Sequence, residues 1–389
     1  MISNTRRTFL IGTAATAATA VLPSYQAFAQ TTDVLRFITS DLSSLDPIVT
    51  TGTPIRNYGY MVFETLFAMD EAFKIQPQMA KGHEVSEDGL TWTVILRDGL
   101  MWHDDTPVTA ADCVASVKRW GSKDSLGQSL MAVTETLEAV DDKTFRFTLT
   151  EPFPLLVDAL GKPSTPICFM MPERLAQNDA STPITEVIGS GPFRFMQDEW
   201  VTGSKSVYEK FQGYVPRDEP PSGLAGGKVV NVQRVEWLSI ADYSTATAAI
   251  QRGEADWYDK PDVNLITILE DDPEVTVGNY ESGAANFIRF NHQQAPFNNI
   301  KVRQAVMAAV NQEEYLTAMV GLGNYEVCKS FFYCGTPMST GAGNEAMLAD
   351  FDTAKKMLDE SGYDGEKVAI LGPTDILNRP GFTGGWFVR

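Results

Sequence analysis

The chain has 389 residues and a formal charge of −19, set by 50 Asp and Glu against 31 Lys and Arg. Such a field repels polyanions, so nucleic acid and acidic membrane surfaces are poor partners. Hydrophobic residues make 43% and charged residues 21%, which excludes a disordered tail or a membrane bundle and leaves room for two or three globular domains.

The first element is an address. Thr5-Arg6-Arg7-Thr8-Phe9-Leu10 precedes a mild Ala/Thr-rich run from Ile11 to Leu22, and Ala27-Phe28-Ala29 supplies a small-x-small cleavage site. The run is shorter than the ~20 apolar residues that span a bilayer. The segment resembles a twin-arginine signal peptide over residues 1–29, with Arg6, Arg7, Ala27 and Ala29 as its working residues. Cleavage after Ala29 would yield an exported, periplasmic protein with no membrane span.

Val34 to Ile38 alternates as a strand, and Tyr58 to Leu66 reads as a helix. Glu84 to Leu96 reads as a hairpin turning at Asp88-Gly89, with Trp92, Val94 and Leu96 on one face. Thr109-Ala-Ala-Asp112 predicts a capping box opening a helix that buries Val114, Val117 and Trp120. Phe145, Phe147 and Leu149 alternate as another strand. A third β region starts at Gly189-Ser190-Gly191-Pro192-Phe193 and continues through Val207-Tyr208 and Val229 to Leu238. Pro220 to Gly227 is an exposed loop by composition. Asp242 to Arg252 reads as a helix stopped at Gly253, with Ala255 to Tyr258 returning as a strand. Helical spacing reappears at Val302 to Val310 and from Thr353 to Ser361, before a strand at Val368 to Leu371. The whole is a mixed α/β pattern of more than one lobe.

Enzyme signatures are scarce. Gly189-Ser190-Gly191 lacks nucleophile-elbow spacing, and Gly341-Ala-Gly343-Asn-Glu-Ala346 imitates a dinucleotide fingerprint without a preceding strand. Trp102-His103-Asp104-Asp105 reads as a polar turn rather than a metal site, and none of the four cysteines has zinc spacing. No cofactor or metal is expected. In an oxidising compartment Cys328 and Cys334 are expected to pair, while Cys113 reads as a buried thiol.

Pro77-Gln-Met-Ala80 and the run from Asp88 through Trp92, Asp98-Gly99, Trp102 and Thr106-Pro107 to Asp112 closely resemble the signature segment of extracellular solute-binding proteins of family 5. These are the peptide/nickel-type receptors of ATP-binding-cassette importers. Ser44-Leu-Asp46-Pro47, Val62-Phe-Glu-Thr-Leu66, Gly189 to Phe193, Gly253-Glu-Ala-Asp256, Phe290-Asn291, Pro296 to Asn299 and Val302-Arg-Gln-Ala305 agree in order. The resemblance implies a periplasmic-binding-protein-like two-lobed fold of type II with an extra inserted subdomain. Lobe I would take 30–60 and 186–288, the insertion 61–185, and the start of lobe II 289–375. Residues 376–389 form an atypical tail, so the second lobe is expected to be incomplete and the protein truncated at its C-terminus.

The resemblance also implies a non-enzymatic, monomeric receptor that closes on a small-molecule or peptide ligand, an oligopeptide first. It would deliver that ligand to importer permease subunits, with the ATPase on the cytoplasmic side. The alternatives are a nickel complex, haem or sugar as ligand, a chemoreceptor partner, or a periplasmic hydrolase using paired carboxylates. Ligand contacts are expected where lobes meet: Thr51, Asn57 and Tyr58 on the first loop, Trp257 at a strand end, and Arg289 and Asn291 on a crossover strand Phe287 to Asn291.

Overall fold

The computed structural model describes residues 33–278, 288–321 and 325–370. The expected signal residues Arg6, Arg7, Ala27 and Ala29 and the tail 376–389 lie outside the described residues.

Strand β1 occupies Val34–Ile38, as its alternation predicts. The helix expected from Tyr58 instead spans Thr53–Val62 as α1, with Pro54 in its first turn, where a missing N–H costs nothing. It ends at Val62 because Phe63 is extended and Glu64–Thr65 form β2. A small hairpin of β3 (Phe67–Met69) and β4 (Ile75–Pro77) follows. The expected hairpin is β5 (Ala80–Val85) with β6 (Thr91–Leu96), turning at Gly89, whose φ of 71° suits a residue without Cβ. α2 (Ala110–Gly121) opens with the predicted box: Thr109 Oγ1 accepts from Asp112 N–H, and the Asp112 carboxylate accepts from Thr109 N–H at 2.8 Å.

α3 (Ser125–Ala132) leads into β7 (Thr134–Ala139) and β8 (Thr144–Leu149), then α4 (Leu156–Gly161), β9 (Phe169–Met170) and α5 (Glu173–Ala176). Four strands form the antiparallel sheet β5-β6-β8-β7. Its inner face, with Trp92, Val94, Phe145 and Phe147, packs with Val117, Trp120 and Trp102 in one core. β9 returns to pair with β2, joining Phe169 to a second core with Tyr58 and Phe63.

The remaining strands are β10 (Phe193–Phe195), β11 (Lys205–Lys210), β12 (Arg234–Leu238) and, after α6 (Tyr243–Gln251), β13 (Trp257–Tyr258). They form a sheet with β1 in the order β10-β11-β12-β1-β13, in which β12, β1 and β13 run parallel. β12 starts at Arg234 rather than Val229. The stretch from Pro220 to Gly227 is an exposed loop only in its first half: Pro220, Pro221 and Gly223 are exposed, but Ala225, Gly226 and Gly227 are buried. Leu224 N–H donates to Met69 O at 2.9 Å, Arg217 Nη1 reaches Gln78 O and Ala80 O at 3.1 and 3.0 Å, and Lys228 pairs with the buried Glu64 carboxylate. Residues 211–228 thus form a strap over β3–β5.

Past α7 (Ile266–Glu270), the expected crossover strand is not formed: Phe287 lies outside the described residues, and 288–291 are irregular. α8 (Ile300–Ala309), α9 (Gln312–Val320) and α10 (Phe351–Asp359) follow. Val302, Ala305 and Ala308 of α8 and Ala354 of α10 are buried, and their small size lets the two helices approach closely. The strand expected at Val368 to Leu371 is irregular over 368–370, and Leu371 lies outside the described residues. The fingerprint look-alike at Gly341 to Ala346 is a loop with one 3₁₀ turn. Cys328 and Cys334 are joined as expected, and Cys113 and Cys168 are buried free thiols.

Candidate functional site

In a sheet with crossovers, ligands gather beyond the carboxyl ends of the parallel strands. Here those are the ends of β12, β1 and β13. β13 stands at the end of the five-stranded order, and its Trp257 is 58% exposed. The indole leans on Phe37 of β1, with centroids 5.0 Å apart at 51°. Next to it, burial pushes the Tyr258 hydroxyl up to about 12, with Tyr243, Asp262 and Asp242 adding to the shift. That phenol is a neutral donor at any physiological pH.

The loop after β1 is anchored by Asp46. Its carboxylate takes the Arg119 guanidinium at 2.7 Å, Ile184 N–H at 2.9 Å and Ile48 N–H at 3.1 Å, with both side chains almost wholly buried. Arg119 also donates to Asn178 O and Thr182 O, each at 3.2 Å. One pair therefore ties the loop, α2 and the segment 178–184 together. Beyond that anchor, Thr51 is exposed, with its carbonyl accepting from Thr165 Oγ1 at 3.2 Å, and Asn57 is half-buried on α1.

Tyr58 does not face a ligand. Ile55, Tyr58, Gly59 and Val62 repeat at i, i+3, i+4 and i+7 and are the buried stripe of α1. The Tyr58 hydroxyl donates to Leu45 O at 3.0 Å, and its ring meets Phe63 and Phe195 edge-on. Arg289 and Asn291 are exposed and line a cleft of about 510 Å³ with Phe290, His292 and Gln293. Asn291 Oδ1 caps Gln293 N–H at 3.0 Å. Among the described residues, no hydrogen bond or ring contact joins Thr51 and Asn57, Trp257, and the Arg289 cleft to one another.

His103, read from sequence as part of a polar turn, is buried in a latch. Its Nε2 lies 3.0 Å from Gly191 O and its Nδ1 3.3 Å from Gly189 N–H, while its own N–H donates to Gly189 O at 2.8 Å. Because Gly189 N–H can only donate, the ring is the neutral Nε2–H tautomer. Phe211 packs edge-on at 4.9 Å. The two glycines lie against α1: a Cβ on Gly189 would fall 1.9 Å from Val62 O, and one on Gly191 2.6 Å from Met61 O.

Burial, the largest cause, and the Arg194 charge pull His103 down to about 4, against its hydrogen bond to Gly191 O and the charges of Asp104 and Asp105. The unfolded imidazole titrates near 6.5, so the unfolded state binds the extra proton between those values. The latch contributes fully above pH 6.5 and its contribution is lost as pH falls through about 4. The loss over that window is about 3 kcal/mol. Urea unfolding at stepped pH should show a shallower fall from pH 6.5 to 4 in His103→Gln than in the parent. Parallel curves would mean that other groups carry the acid sensitivity.

The sequence profile of bacterial extracellular solute-binding proteins, family 5 Middle, matches residues 74–378. A probable peptide ABC transporter periplasmic-binding protein of Sinorhizobium fredii is 38% identical over 387 residues, covering 96% of this chain and 72% of its own length. The glutathione-binding protein of Escherichia coli is 29% identical over 284 residues, covering 72% of this chain and 52% of its own length. The chain thus spans about half the length of that second relative. A periplasmic binding protein from Helicobacter pylori, solved with a bound peptide, is similar with a TM-score of 0.67 at 25% identity. That similarity covers 85% of this chain and 66% of the solved one, and it shows the two-lobed binding-protein fold.

Proposed function

The chain belongs to the bacterial extracellular solute-binding proteins of family 5, and from that premise we propose that it is a periplasmic receptor for an oligopeptide, which it passes to an ATP-binding-cassette importer. The observation that carries the ligand class is the identity, over nearly the whole chain, to a probable peptide-transporter binding protein. Residues 30–60 with 186–288 act as the first lobe, 61–185 as its inserted subdomain, and 289–375 as the beginning of the second. The lobes close on the ligand and remove it from water, where low dielectric strengthens each polar contact. Trp257 is the apolar wall of the first lobe, Thr51 and Asn57 give hydrogen bonds from the α1 side, and Arg289 with Asn291 take the ligand's carboxylate end. The importer's ATPase supplies the work, and the ligand leaves chemically unchanged.

Mass spectrometry of small molecules released on denaturing the protein purified from its own periplasm tests this. Short peptides are expected, recovered intact after prolonged incubation. Recovery of a nickel chelate, haem or sugar would overturn the peptide reading, and cleaved peptide would overturn the receptor reading.

The route of export is part of the same proposal. Replacing Arg6 and Arg7 with Lys should leave full-length precursor in the cytoplasm, seen by fractionation and immunoblot. Normal arrival of mature protein in the periplasm would exclude the twin-arginine route.

A further inference from the structure

Trp257 sits on a strand of two residues, tied to β1 at its far end where Asp259 N–H donates to Ile38 O at 2.9 Å. The residue before it holds the near end. Asp256 N–H donates to Arg36 O at 2.9 Å, and the Asp256 carboxylate accepts Arg36 N–H at 2.8 Å. One residue thus grips both polar groups of Arg36, with the Arg36 guanidinium 3.8 Å from the same carboxylate oxygen. The register Phe37↔Trp257 follows directly, and it brings the indole onto the Phe37 ring. On the other side, Gly253 ends α6 with a φ of 66°, and Ala255 is buried against Ile38, Ala246 and Ala249. From there the backbone reaches β1 with Asp256 facing Arg36.

We propose that Asp256 is the positioning residue of the binding face: its two-point grip on Arg36 fixes the Trp257 indole in the pose that meets ligand. This rests on the reading of Trp257 as a ligand contact. Asp256 itself is one-third exposed and stays with β1, so its effect on ligand passes through the indole.

The full-length protein, grown with 5-fluorotryptophan, gives seven indole signals, and Trp257→Phe identifies the one at issue. Without any ligand, Asp256→Ala should shift and broaden that signal and leave the other six in place. Asp256→Asn, whose amide oxygen still accepts Arg36 N–H, should keep the parent signal. Calorimetric affinity for an equimolar pool of tripeptides should fall about tenfold in Asp256→Ala and return in Asp256→Asn. An unmoved Trp257 signal in Asp256→Ala overturns the inference, as does a moved signal with unchanged tripeptide affinity. If Trp257→Ala binds the pool as tightly as the parent, the reading of Trp257 as a ligand contact fails instead.

Discussion

Arg119→Met should lower the stability of the folded protein by about 3–5 kcal/mol at neutral pH. Arg119 and Asp46 are 1% and 0% exposed, so removing the guanidinium leaves a carboxylate in the interior with two backbone N–H groups and no counter-charge. The carbonyls of Asn178 and Thr182 lose their donor in the same step. Most of the loss is the cost of a stranded charge rather than the worth of the pair, because burying both ions is itself expensive. The double variant Asp46→Leu with Arg119→Met should therefore recover a large part of the deficit. Urea unfolding followed by tryptophan emission measures both. A single variant within 1 kcal/mol of the parent would show that water reaches Asp46 and the anchor is weaker than its burial implies.

Gly189→Ala should destabilise by on the order of 3 kcal/mol, at the upper end of what overpacking costs. The new Cβ would lie 1.9 Å from Val62 O and 2.6 Å from Val62 C. Those are backbone atoms at the C-terminal end of α1, so no side chain can swing aside to relieve the contact. The glycine segment cannot retreat either, since His103 holds it through Gly189 N–H, Gly189 O and Gly191 O. Gly82→Ala is the control: nothing lies within 4 Å of its Cβ and its φ is not positive, so its effect should stay within about 0.5 kcal/mol. Equal thermal midpoints for the two variants would refute the packing argument.

The Asp88-Gly89 hairpin and the Thr109–Asp112 box were legible because every interaction that defines them lies within a few residues. The α1 boundary was not. Phe63 to Leu66 is buried throughout, and a short run buried on all sides has no period to separate strand from helix. That ambiguity drew the helix four residues too far toward Leu66, and starting it at Tyr58 rather than Thr53 left Tyr58 on what read as a loop. The strap was missed for a related reason. Pro, Ser and Gly in 220–227 signal a turn, yet they do not say what the turn rests on. The long-range pairs carry no local mark at all: Asp46 and Arg119 stand 73 residues apart, His103 and Gly189 86. The sequence singled out the segments holding Asp46, His103 and Gly189 one by one, and nothing in it said that one closes on another. Trp257 was a candidate because the sequence read it at a strand end; in the structure it opens β13 and is exposed at the sheet's edge.

The strap over 211–228 bears on how this protein is cut and rebuilt. Its composition would attract anyone choosing a site for a reporter domain or an epitope tag, because insertions are best tolerated at exposed loop tips. Its backbone is committed at Leu224 and Gly227, and Gly226 has Pro220 O within 2.2 Å of where a Cβ would go. Lys228 meanwhile neutralises Glu64 inside the protein. A domain spliced at 224–228 would disturb those bonds and that pair. By the same logic, a protease that cleaves after arginine would find Arg217 shielded by its bonds to Gln78 O and Ala80 O.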